Sequence, residues 1–163
     1  LVLKAWLKPS RFELSRSDGT EARPSVVAEE YEMIARKLTP KGDLLAVSQT
    51  AMMRSNRLLL YDTKDMKLRR ELTLDHAIKG LGFSPDGRIL AMGGRDRQVQ
   101  RLDVETGKWI GSPLLHDSVV TYVGFLGNDR LLATCNERGQ ILLWDAPTGK
   151  RIGPAFDHPS DLV

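Results

Sequence analysis

Apolar residues along this chain fall in short runs cut by turn residues, and the cut pattern recurs. In the last third, Thr121–Phe125 is a short run rich in β-formers and Gly127-Asn128-Asp129 is a turn. Leu131–Thr134 is apolar again, and Glu137-Arg138-Gly139 turns the chain a second time. Ile141–Trp144 is a third run, Pro147-Thr148-Gly149 a third turn, and Lys150–Ile152 begins a fourth strand. Short runs with turn signals about every 8–12 residues predict an antiparallel β-meander.

The meander repeats. Shifted by 42 residues, positions 79–121 meet 121–163 with fourteen of 43 identical. Gly82/Gly124, Phe83/Phe125, Asp103/Asp145, Gly107/Gly149 and His116/His158 are among the matches. A more degraded copy lies upstream: Asp62 precedes Asp103 by 41 residues, and His76 precedes His116 by 40. Leu44–Val47 echoes Ile89–Met92 at a distance of 45, so this first copy carries an insertion, placed within Gln49–Asn56. Four strands about every 42 residues is the signature of propeller blades. The expected blades are 31–75, 76–116 and 117–163, the last with the start of the next, and 1–30 is a degraded or partial preceding blade. Gly107 and Gly149 stand where a hairpin needs positive φ, which Gly adopts without a Cβ penalty.

Residues 1–30 do not align with the repeat. Val2–Leu7 reads as a strand with Trp6 near its end, and Ser15–Ser25 is polar with an Asp18-Gly19 turn signal. Val27, Tyr31, Ile34 and Leu38 carry the 4-3-4 spacing of an amphipathic helix, with Ser25 at a capping position. The repeat instead makes 33–38 the first strand of a blade, with Leu38 at the Phe83 position. The downstream copies follow in order, so the strand is preferred for 33–38, and a short helix over 26–31 stays as the alternative there.

Two stretches carry a family resemblance. FSPDGRILAMGGRDRQVQRLDVETGKWIG (83–111) and LLATCNERGQILLWDAPTGKRIG (131–153) resemble WD repeats. Trp144-Asp145 is the dipeptide that names that family, and Ser84-Pro85-Asp86-Gly87 matches its turn between the first two strands. Thr39-Pro40-Lys41-Gly42 is a weaker copy. The resemblance covers about residues 31–163 and implies an all-β fold: a partial β-propeller of four-stranded antiparallel WD-type blades. The repeated TGK-x-IG ending is also similar to repeats of large bacterial multidomain proteins, where a propeller often follows a kinase or nucleotide-hydrolysing domain. No such domain lies in these residues, and the chain is read as a piece of a longer protein.

The resemblance also implies roles for residues. In the family, a His before the first strand bonds an Asp in the turn between strands two and three, and a Ser or Thr and the Trp complete the network. His76, His116 and His158 take the His position. Asp96 fits the Asp position of the second copy, where Leu102 replaces the Trp. Thr134 and Trp144 fit the third copy, where Arg138 replaces the Asp. Positions beside the turn Asp and near the start of the first strand line one binding face, and they map to Lys79, Arg95, Tyr122 and Glu137. These four differ between copies although the framework repeats.

Composition narrows the chemistry further. The 163 residues suggest one domain, or two small ones. A charged fraction of 28% with net charge +3 is too balanced for a disordered tail and too weak for a dedicated nucleic-acid binder. No run reaches the roughly 18 apolar residues of a membrane span. One Cys excludes an internal disulfide framework and any multi-Cys zinc site, and fits a reducing, cytoplasmic setting. A His once per blade cannot share a zinc ion, whose ligands must sit about 2.0–2.1 Å from one centre. Asp62, Asp103 and Asp145 end strands before turns in the same periodic way, and Cys135 reads as a small buried apolar residue. Trp109 has no partner in the repeat (Arg151 stands there) and is either edge packing or a partner contact. Lys64, Lys67, Arg69 and Arg70 are interleaved with Asp62, Asp65 and Glu71, as on a solvated hairpin. No phosphate loop or nucleophile elbow appears. The expectation is a protein-interaction scaffold with no cofactor, metal, nucleic acid or membrane partner, and with self-association possible through open blade edges. Two rivals are a regulatory propeller in cis to a bacterial kinase or NTPase domain, and a propeller enzyme. The enzyme would need unrepeated Asp, Glu, Asn or His converging on the axis.

Overall fold

A computed structural model describes residues 2–6, 10–15, 26–28, 31–51 and 56–157 of the chain. Among them there is no helix, and every strand pairing is antiparallel. The chain forms two compact units, Leu1–Asp75 and His76–Val163.

The first unit begins with β1 (Val2–Trp6), β2 (Ser10–Ser15) and β3 (Val26–Ala28), a three-stranded meander. The polar stretch with the Asp18-Gly19 signal lies outside the described residues. A four-stranded sheet follows, from β4 (Tyr31–Leu38), β5 (Leu44–Ala51), β6 (Asn56–Asp62) and β7 (Leu68–Leu74), in chain order. The helix considered for 26–31 does not form at Val26–Ala28 or Tyr31, which are strand. Its spacing has a physical origin. The register of β4 on β5 shifts between Met33 and Ala35, so one extra residue breaks the two-residue alternation and leaves Tyr31, Ile34 and Leu38 at a helix-like 3-4 spacing, while Val27 belongs to β3 of another sheet. The β5–β6 ladder runs from Leu44↔Asp62 to Thr50↔Asn56 and is longer than the equivalent ladders downstream. Leu45, Val47, Leu59, Tyr61 and Met66 form a buried cluster on this sheet, with Leu38 packed against it.

The second unit stacks two sheets. The first holds β8 (Ile78–Phe83), β9 (Ile89–Gly94), β10 (Gln98–Asp103) and β11 (Leu114–Leu115). The second holds β12 (Val120–Phe125), β13 (Leu131–Asn136) and β14 (Gln140–Asp145), with β15 (Lys150–Arg151) and β16 (Phe156–Asp157) both on the outer edge of β14. The fourth strand of each sheet is therefore split. Ile110 and Ile152 each donate an amide to the neighbouring strand, the chain then bulges outward, and Leu114 and Phe156 rejoin the edge.

The turns rest on short polar side chains, as expected of turn residues. Ser84 Oγ donates to Asp86 Oδ1 at 2.6 Å, and the same oxygen accepts from the Arg88 amide at 2.9 Å. Asp103 and Asp145 each accept from the amide and the hydroxyl of the Thr three residues on. Gly107 and Gly149 take φ of 71° and 73°.

Between the two sheets, Ala91, Val99 and Leu114 meet Val120, Val123, Leu132, Leu142, Trp144 and Ala146 in one buried cluster. Gly82 permits the closest approach of the inner strands, because a Cβ there would fall 2.8 Å from the Val123 carbonyl oxygen. The second sheet is uneven. Leu132, Thr134, Leu142 and Trp144 are buried, whereas Leu131, Cys135, Ile141 and Leu143 are half-buried. Cys135 is thus less hidden than its sequence context suggests, and its thiol reaches the Asn136 carbonyl at 3.5 Å.

Candidate functional site

One edge of the second unit gathers the non-repeated residues. It is built from the first turn of β8 and β12 and from the β9–β10 and β13–β14 turns. The Arg95 amide donates to the Ala77 carbonyl at 3.2 Å, and the Glu137 amide donates to the Val119 carbonyl at 2.9 Å. Each bond ties a turn to the start of its sheet's inner strand. Lys79 and Arg95 therefore share one sheet's edge, and Tyr122 and Glu137 share the next. All four side chains are exposed. The backbone of Tyr122 lies against Gly80, next to Lys79. Ser118, itself buried, donates its hydroxyl to Glu137 Oε1 at 2.7 Å and so fixes one end of the patch.

Under this edge lies a buried polar chain. Trp144 Nε1–H donates to Thr134 Oγ1 at 2.9 Å, and that hydroxyl meets His116 Nε2 at 2.7 Å. His116 Nδ1 faces the Leu114 carbonyl at 3.1 Å. A carbonyl only accepts, so Nδ1 carries the proton and Nε2 accepts from Thr134. The His116 and Trp144 rings lie 5.4 Å apart, tilted at 50°. Burial pushes the His116 pKa below 6.5, against the opposing pull of the Leu114 carbonyl and the Asp117 charge. With Arg138 in the turn, the imidazole takes a backbone carbonyl as its second partner.

The other candidates sit differently. His76 is exposed, and the expected bond from His76 to Asp96 is absent among the described residues; Asp96 accepts instead from the Gln98 amide in its own turn, at 3.4 Å. The physical reason lies in the core: Met92 and Leu102 occupy the positions of Thr134 and Trp144 and are almost completely buried, so no hydroxyl or indole is there to meet an imidazole. His158 lies outside the described residues. Asp145 is held to about 2 by the Thr148 hydroxyl, with Arg130 and the Thr148 amide adding to it. Lys64, Lys67 and Arg69 are exposed near the β6–β7 turn, and Lys67 pairs with Asp65 at 3.1 Å. Trp109 is 47% exposed and forms an isolated antiparallel bridge to Leu102. Among the described residues, no group of three or more His, Cys, Asp or Glu is placed to hold a metal ion.

Arg101 belongs to no motif of the repeat. It is 1% exposed and donates from Nη1 to the Ala146 carbonyl at 2.5 Å and from Nη2 to the Ser112 carbonyl at 2.9 Å. Leu60 and Leu143 stand at the equivalent positions of the other copies, and that departure was the signal.

Two family models match the chain. The model of the anaphase-promoting complex subunit 4 WD40 domain covers residues 36–117, about half of the chain. The model of the WD domain, G-beta repeat covers residues 107–145. No curated protein matches the chain.

Proposed function

The chain belongs to the WD40-repeat family, whose domains are generally non-catalytic protein-interaction scaffolds, and on that premise we propose that it captures a protein partner through the edge carrying Lys79, Arg95, Tyr122 and Glu137. One observation carries the reading. These four side chains are exposed and unlike one another, while the framework that mounts them repeats and is buried. Binding residues on loops held by a rigid scaffold follow this division of labour. The patch mixes two cations, one anion and an aromatic ring, a composition suited to a polypeptide surface rather than to a nucleic-acid backbone. The single Cys135 thiol fits a cytoplasmic setting.

The test is a combined substitution: Lys79→Ala, Arg95→Ala, Tyr122→Ala and Glu137→Gln in one chain. Affinity capture followed by mass spectrometry should recover partners with the native chain and lose them with the variant, at an unchanged melting temperature. Retention of the same partners by the folded variant removes the proposal.

A further inference from the structure

The split fourth strand of the β8–β11 sheet leaves a cavity. Trp109 bridges Leu102, Leu114 pairs with Val99, and the chain bulges between them from Ile110 to Pro113. This cleft, open to solvent, has a volume of about 260 Å³ and is lined by Gln100, Arg101, Trp109, Ile110 and Ser112 among others. Sites for whole small molecules run to roughly 300–1,000 Å³, so this one is scaled to one or two side chains.

A buried cation contributes to the lining. Both acceptors that hold Arg101 are neutral backbone carbonyls, and its Nε–H has no hydrogen-bond partner. The field of Asp145 reaches the guanidinium, but the Asp145 carboxylate is already engaged by Arg130 at 2.5 Å and by the Thr148 hydroxyl at 2.6 Å. A guanidinium taken out of water needs an anion or a full set of acceptors to offset its lost hydration. Arg101 has neither. Leu60 is buried at the equivalent position of the first copy without a charge, so burial alone does not call for a guanidinium. Trp109 adds a half-exposed indole as the cavity wall. A buried cation with an unpartnered Nε–H beside an open aromatic face complements an acidic residue with an apolar neighbour.

We propose that the bulge at Ile110–Pro113 is a docking site for an acidic peptide segment, with a Glu or Asp carboxylate set toward Arg101 and an apolar neighbour packed on Trp109. This site uses none of the four residues of the proposed scaffold edge, so either can fail alone.

The test uses the full chain, labelled with nitrogen-15. The probes are acetyl-Leu-Glu-Leu-amide, acetyl-Pro-Glu-Leu-amide and acetyl-Leu-Asp-Leu-amide, each with its Gln or Asn twin, and sodium acetate. The acidic peptides should give saturable shifts of the Trp109 indole and Arg101 Nε–H signals, at least tenfold tighter than their twins. Trp109→Ala, a change at an exposed side chain, should weaken binding at least fivefold without unfolding the chain. Arg101→Met should abolish the preference for the acid over its twin; if that variant does not fold, the twin comparison and Trp109→Ala decide. Equal binding of acid and twin, or no saturable shift with any acidic peptide, overturns the proposal. Acetate binding as tightly as the peptides also overturns it, because the site would then be one for free anions.

Discussion

Replacing Thr134 with Val isolates the buried polar chain from packing. The two side chains have nearly the same volume, so no cavity opens. Thr134 is fully buried, and its hydroxyl stands between Trp144 Nε1–H and His116 Nε2. Val leaves both nitrogens buried without a partner. A buried polar group left unsatisfied costs about 1–3 kcal/mol, so the pair costs about 2–6 kcal/mol. Thr134→Ser is the control. It keeps the hydroxyl and loses one methyl, worth about 1 kcal/mol with its small void. Val should therefore be the more damaging change, although it is the more apolar. Urea unfolding followed by circular dichroism and Trp fluorescence reads the difference. With a slope of about 1–3 kcal/mol per molar, a 3 kcal/mol loss moves the midpoint by roughly 1–3 M. Combining Thr134→Val with Trp144→Phe should cost less than the sum of the two, because the second change removes a donor that the first had orphaned. A Val variant within about 0.5 kcal/mol of the native chain, or more stable than the Ser variant, refutes the wiring.

Two further outcomes follow from the same packing. Because burial holds the His116 pKa below 6.5, the native state resists a proton that the unfolded chain accepts; stability should be full above pH 6.5 and fall as pH drops from 6.5 toward the lowered native value. Melting temperatures between pH 8 and pH 5 should show this loss, and His116→Gln should flatten it; an unchanged slope in the variant excludes His116 as the cause. Gly82→Ala places a Cβ 2.8 Å from the Val123 carbonyl oxygen and should cost about 2 kcal/mol, lowering the melting temperature by roughly 4–8 °C in a scanning calorimeter, whereas an unchanged melt means that the inner strands separate freely.

The fold was legible wherever a local rule and the period agreed. Ser84-Pro85-Asp86-Gly87, Thr106-Gly107 and Thr148-Gly149 announce turns through side chains that bond their own backbone, and the structure uses those bonds. Legibility failed where structure depends on a neighbouring strand. The extra residue in β4 gives 31–38 a helix-like spacing, and only the repeat marks 33–38 as the strand it is, because a bulge adds one to the spacing and leaves no residue type of its own as a sign. The split fourth strand was equally hidden. Its paired pieces at Lys150–Arg151 and Phe156–Asp157 are two residues each, too short to show alternation.

The polar residues show a related limit. A motif names the side chains of a network but not the backbone that completes it. His116 was placed by the repeat, whereas its second partner, the Leu114 carbonyl, has no residue type to be read. His76 has the same sequence position and is exposed, because Met92 and Leu102 fill the space that a hydroxyl and an indole fill one copy later. The identity of the His therefore predicts less than the identity of the residues it must reach. Arg101 inverts the case. The period marks its position as apolar, so a charged residue there departs from the packing rule, and such a departure must be compensated by neighbours or be used. Two carbonyls compensate it in part, and the Nε–H they leave unpartnered is what separates Arg101 from an ordinary core substitution.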